Sequence, residues 1–197
     1  MNAIDATSLP AIRRVAVIGA GRIGRSFALA CAAAGFDVVL EDVMPANLRR
    51  AQEEYAELTA AHGTLTLAPS IEEAVREADL VVDFVPDELE SKLEIFCLLD
   101  RMAPPRTVLA TPTTRLSIAD LASCTYRPDR CVAIAQEASS LAEGGSGEIR
   151  LRTCSRTSTA TVALLTRFWS RLGFRAVFER DLAELMPDAC TAMPLKQ

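Results

Sequence analysis

Gly19-Ala20-Gly21-Arg22-Ile23-Gly24 is the feature that most narrows what this chain can fold into. It spells G-x-G-x-x-G, a pattern whose meaning depends on its flanks. Ahead of it runs Arg14-Val15-Ala16-Val17-Ile18, a short β-branched run of the kind that forms a buried parallel strand. Behind it, Arg22 to Ala34 is Ala-rich with strong helix propensity and closes at Gly35. The pattern predicts a tight strand-to-helix turn inside one strand–helix–strand unit. Gly19 makes the bend, Gly21 lets a pyrophosphate approach the backbone, and Gly24 lets helix and strand pack closely. The helix start, with Arg22 and Ile23 in its first turn, offers unpaired N–H groups and a positive dipole end to phosphates. The same turn can also form with no ligand.

Asp42 falls just past the second predicted strand, Asp37 to Glu41. A carboxylate there can accept hydrogen bonds from the adenine-ribose hydroxyls. That favours NAD over NADP, whose 2′-phosphate would meet a like charge. Arg22 or Arg49 could soften the preference.

The rest of the chain alternates in the same way. A helix is expected from Pro45 to Ala61, a strand at Thr64 to Leu67, and a helix capped by Ser70 with Glu73 completing a capping box. Strands follow at Leu80 to Val85, Thr107 to Thr111 and Cys131 to Ala135, separated by helices from Asp87 to Met102 and Ser117 to Ser123. Such alternation predicts an α/β Rossmann fold, a doubly wound and mostly parallel sheet in a single domain. Ser139 to Gly147 reads as a loop, and a strand, a helix (Ser158 to Leu172) and another strand end the pattern. Residues 1–12 are expected to be a flexible lead-in and 181–197 a short tail.

Composition narrows the function classes. The 197 residues suit one globular domain and leave little room for a second. Half are hydrophobic but only 5% aromatic, so the core must be aliphatic. A net charge of −5 argues against nucleic acid and anionic membranes as partners. No apolar run approaches the ~20 residues that span a bilayer. The six cysteines have irregular spacing and no CxxC pair, which suits buried free thiols in a cytoplasmic protein. His62 is the only histidine, so neither a metal site nor a hydrolase triad built on Ser139, Ser140 or Ser146 is expected. Phe168 and Trp169, adjacent on a helix, are not both expected to face the core, and one of them would mark a subunit or partner contact. From Arg150 to Arg180, seven arginines stand against one acid, Glu179, as a solvated rim or a receiver of phosphates.

VAVIGAGRIGRSFALACAAAGFDVVLED (residues 15–42) and the segment from Glu77 to Ile134, with VPDELESK inside it, resemble the NAD-binding domain of the 3-hydroxyacyl-CoA dehydrogenase family. The similarity continues faintly to Asp181. The resemblance implies NAD as cofactor and places Val85, Asp87 and Lys92 in the cofactor cleft, Lys92 as a donor to ribose hydroxyls. Otherwise Lys92 would be a solvated helix-face lysine. The resemblance also implies a 3-hydroxyacyl or 3-oxoacyl thioester, on CoA or a carrier protein, as the substrate.

The departures from the family are specific. Its Asn-Thr-Ser-Ser becomes Pro112-Thr113-Thr114-Arg115, leaving Thr114 to take the role of the serine that touches the substrate hydroxyl. Its His-Phe-Phe-Asn-Pro becomes Ala135-Gln136-Glu137-Ala138-Ser139, so alanine stands where the family has its general base. Such a base typically contributes about a hundred- to ten-thousand-fold. Glu137 or Glu143 could substitute if the environment raised its pKa. The stretch Ala46 to Gly63 is shorter than in the family, and the entrance to the family's helical second domain survives only as Asp181-Leu182-Ala183. Three readings follow: an oxidoreductase of this type with an altered active site; a non-catalytic NAD-binding chain that senses the cofactor or pairs with itself or a partner subunit; or a dehydrogenase acting on an unrelated small acid.

Overall fold

Val15 and Val17 of β1 (Arg14–Ile18) pack into one layer, Ala16 and Ile18 into another, because successive side chains of a strand leave on opposite faces. All four are buried, the pattern of a strand covered on both sides. A computed structural model describes residues 11–58, 62–136 and 147–181. Strands and helices alternate through it: α1 (Arg22–Ala33), β2 (Asp37–Glu41), α2 (Pro45–Ala56), β3 (Thr64–Ala68), α3 (Ile71–Val75) and β4 (Leu80–Asp83). Then come α4 (Leu89–Met102), β5 (Val108–Pro112), α5 (Ile118–Ser123), β6 (Cys131–Ile134), β7 (Gly147–Thr153), α6 (Thr159–Arg171) and β8 (Phe174–Arg180).

The strands form one sheet in the order β3-β2-β1-β4-β5-β6-β7-β8. Every neighbouring pair is parallel except β6–β7. This is the expected doubly wound α/β architecture. The sequence order reverses between β1 and β4, and the crevice outside the carboxyl ends of those strands is where such folds bind ligands. One apolar layer gathers residues of α1 and α6 over the sheet, and the other gathers residues of α3, α4 and α5.

The cap expected of Ser70 is present, and Ser117 and Ser158 cap their helices in the same way. Each accepts the backbone N–H three residues on, at the starts of α3, α5 and α6. The stop of α2 differs from the expected one. It ends at Ala56, where the Leu58 N–H bonds the Tyr55 carbonyl and the Tyr55 hydroxyl donates to the Gly63 carbonyl, turning the chain toward β3.

Phe168 and Trp169 correct the expectation made for them, since both are buried. The sheet and α1 give α6 an apolar bed wider than one stripe. Phe168 lies on Phe36 with ring centroids 4.9 Å apart, while Trp169 meets Phe27 at 5.9 Å and Phe174 at 5.8 Å. Arg152 departs from the solvated rim expected of the late arginines. It is buried, and its guanidinium donates to the Leu116 carbonyl at 3.3 Å. Arg171 instead lies over the Phe36 ring and bonds the carbonyls of Ala34 and Gly35.

Cys31, Cys97, Cys124, Cys131 and Cys154 are free thiols, and Cys190 lies outside the described residues. Burial pushes Cys131 up to about 12. No helix among the described residues is long and apolar enough to cross a membrane.

Candidate functional site

The turn from β1 into α1 is built as its glycines require. Gly19 sits at φ +97°, a conformation that side chains disfavour, and donates its N–H to the Glu41 carbonyl at 2.8 Å. A Cβ on Gly24 would stand 1.9 Å from the Gly19 carbonyl oxygen, so helix and turn touch backbone to backbone. A Cβ on Gly21 would meet nothing within 4 Å. Space is open over the very residue that caps α1, where the first N–H groups of a helix have no intrahelical acceptor.

Asp42 fastens this turn to the end of β2. Its Oδ2 accepts the Ala20 N–H at 2.6 Å and the Asn47 Nδ2 at 3.2 Å, and its Oδ1 accepts the Met44 N–H at 2.7 Å. Beside it, burial raises the Glu41 carboxyl above its ordinary value, and the Asp42 charge adds to the rise.

Next to the turn opens a cleft of about 290 Å³, lined by Gly21, Arg22, Ile23, Gly24, Phe84, Val85, Asp87, Lys92 and Pro112. It lies between the start of α1 and the carboxyl ends of β4 and β5. Seven of the nine residues assigned to the cofactor from sequence line it. The other two stand behind it: Gly19 packs against Phe84, and Asp42 braces the turn.

The reading of Lys92 as a solvated lysine is overturned. It is 1% exposed, and its Nζ donates to Asp83 Oδ1 at 2.7 Å, with Asp83 wholly buried. Burial pushes the Asp83 carboxyl up, and the Lys92 ammonium pulls it back. Asp83 was not singled out from sequence. The signal was there, an acid closing an otherwise apolar strand nine residues before a lysine, but nothing local says that the two side chains meet.

Thr114 does not line this cleft; Pro112 does. Thr114 is half-buried in the turn after β5, where the Thr113 hydroxyl accepts the N–H groups of Arg115 and Leu116. Arg115 reaches across to donate to the Asp87 carbonyl at 3.2 Å, tying this turn to the one after β4. Ala135, at the end of β6, is buried and gives its N–H to the Arg150 carbonyl. Glu137, Glu143, Ser139, Ser140 and Ser146 lie outside the described residues. Glu148 is exposed and paired with Arg175. His62 is exposed and neighbours Gly35, at the opposite end of β2 from the glycine turn.

An open approach to a helix start, glycines at the bend and at the contact, and an acid after the second strand define a dinucleotide-binding fold. Residues 14–135 match the 3-hydroxyacyl-CoA dehydrogenase NAD binding domain, and the chain belongs to that family. A probable 3-hydroxybutyryl-CoA dehydrogenase of Bacillus subtilis is 33% identical, over 61% of this chain and 47% of the relative. An L-carnitine dehydrogenase/betainyl-CoA thioesterase of a Rhizobium species is 35% identical, over 60% of this chain and 26% of that one. The crystal structure of 3-hydroxybutyryl-CoA dehydrogenase from Escherichia coli superposes with a TM-score of 0.76 at 26% identity, covering 87% of this chain and 39% of that one. The chain thus spans about half or less of the length of these relatives.

Proposed function

We propose that the cleft beside the glycine turn holds NAD(H), and that the chain serves an oxidoreductase acting on a 3-hydroxyacyl or 3-oxoacyl thioester through an altered active site. The observation that carries this reading is the gathering of Gly21, Arg22, Ile23, Gly24, Val85, Asp87 and Lys92 around one opening. In this reading the start of α1 receives the pyrophosphate over Gly21, with the N–H groups of Arg22 and Ile23 as donors. Asp42 accepts the adenine-ribose hydroxyls while keeping its hold on the turn. Lys92 donates to the ribose hydroxyls of the other half, flanked by Val85 and Asp87. When bound, NAD(H) supplies or takes up the hydride that interconverts a hydroxyl and a carbonyl.

Thr114 is assigned to the substrate oxygen, as the one hydroxyl at its position that can donate or accept. The proton of that hydroxyl has no imidazole to go to. Ala135 stands in that place, so turnover is slower by the hundred- to ten-thousand-fold, roughly, that a positioned base contributes. The same alanine favours a second reading, in which the chain binds NAD(H) without turnover and pairs with a partner subunit.

Fluorescence titration with NADH followed by addition of acetoacetyl-CoA separates the two. Saturable binding and a slow loss of the NADH absorbance band support the oxidoreductase. Binding with no turnover supports the second reading for that substrate. No binding contradicts both.

A further inference from the structure

A chain with nineteen arginines and two lysines, Lys92 and Lys196, spends one of those lysines on a buried place beside the cleft. Arginine and lysine are not interchangeable at such a place. An ammonium is a compact point charge on a flexible stem, whereas a guanidinium is a wide planar fork. Burying an ion pair costs desolvation that the attraction between the charges repays only with good geometry and further hydrogen bonds. Here the Thr111 hydroxyl and the Val85 N–H stand near enough to Asp83 to lower its carboxyl, yet the set is incomplete. Asp83 Oδ2 and the Thr111 hydroxyl are buried without a hydrogen-bond partner among the described residues, and so is Asp87 Oδ1 at the cleft wall. An ammonium has three protons, and Nζ donates one of them to Asp83 Oδ1. Behind the cleft's Lys92 wall lies a buried polar cluster that the protein leaves partly unsatisfied.

We propose that Asp83 is a positioning residue that holds Lys92 as an ammonium at the cleft, so that a ribose hydroxyl of the bound dinucleotide meets a fixed cationic donor. The inference rests on the NAD(H) reading and adds to it a second residue, one that does not itself line the cleft. Without Asp83, a buried amine with no counter-charge sheds its proton more readily. The remaining charged groups around the cleft are few. Arg22 comes from α1, Asp87 from the turn after β4, and Glu88 and Glu90 from the exposed start of α4. Arg115, from the turn after β5, engages the Asp87 carbonyl, and β5 itself brings Thr111 but no charge. Of these, Asp83 alone forms an ion pair with Lys92 among the described residues.

The test uses the full chain labelled with ¹⁵N-lysine, whose two Nζ signals are told apart by Lys92→Met. Each signal is followed against pH in the wild type, Asp83→Asn and Asp83→Glu, with and without NADH, and circular dichroism confirms that each variant is folded. The expected result is a Lys92 titration midpoint lower by about one pH unit or more in Asp83→Asn and restored in Asp83→Glu. Saturating NADH shifts the Lys92 signal and leaves Lys196 in place. Lys92→Met weakens NADH by about tenfold or more, and Asp83→Asn loses NADH at a lower pH than the wild type does. If Asp83→Asn does not fold, Asp83→Glu and Lys92→Met carry the test. An unchanged midpoint in Asp83→Asn overturns the inference, and so does NADH that binds while the Lys92 signal stays still. A wild type that binds no NADH overturns the cofactor reading itself, an outcome distinct from those two.

Discussion

The backbone oxygen of Gly19 lies so close to Gly24 that a Cβ there would approach it to 1.9 Å. That one contact sets how deeply α1 sits against β1, and so where the helix start lies relative to the cleft. Gly24→Ala must push helix and turn apart. The overpacking is expected to cost about 1–3 kcal/mol in urea unfolding, together with a loss of NADH affinity. Wild-type stability with wild-type binding would show that the contact does not position the helix.

Asp42 holds the glycine turn and, in the proposed reading, also the adenine ribose; substitution separates the two. Asp42→Ala leaves the Ala20 N–H without its acceptor and is expected to destabilise the fold by about 1–3 kcal/mol. If Asp42 also takes the adenine-ribose hydroxyls, NADH affinity drops by about tenfold or more. Asp42→Asn keeps one acceptor oxygen and should fall between. A destabilised variant with unchanged affinity would leave Asp42 only its structural task.

Glu41 carries the pH prediction. Its folded-state pKa is raised, first by burial and then by Asp42, so the folded protein resists its ionisation. The wild type therefore has its full stability from this group below the unfolded pKa of about 4.3 and loses it as pH climbs through the raised folded value. Glu41→Gln removes that loss. Urea melts should find the variant gaining on the wild type at pH 7 and not at pH 4. The opposite order would mean that the charged form is favoured in the fold.

Trp169 is expected to be a keystone of α6. Truncation to Ala should cost about 3–5 kcal/mol, while Trp169→Phe should cost far less, because the indole N–H has no hydrogen-bond partner among the described residues to lose. Chemical denaturation of both variants checks this. Equal costs would point to an indole N–H that is satisfied after all.

Much of this was legible because the signals were local. The glycine turn declared itself through three glycines at fixed spacing between a β-branched run and an Ala-rich one, and Ser70 marked its helix as a cap. What sequence missed depended on distant partners. Helical spacing alone put Phe168 or Trp169 at the surface, since it could not count the neighbours that α1 and β8 supply. Lys92 could be read either way until Asp83 was seen across from it. Arg152 blended into a run of arginines although, unlike the exposed Arg150, Arg156 and Arg175, it is buried against the turn after β5.

The central claim is that the crevice at the carboxyl ends of β1 and β4 is a site for NAD(H). Isothermal titration of the full chain with NADH and with NADPH tests it most directly. The account predicts saturable binding at one site, with NADPH weaker by about tenfold or more because its 2′-phosphate meets the Asp42 carboxylate. Failure to bind either dinucleotide, or a preference for NADPH, would contradict it.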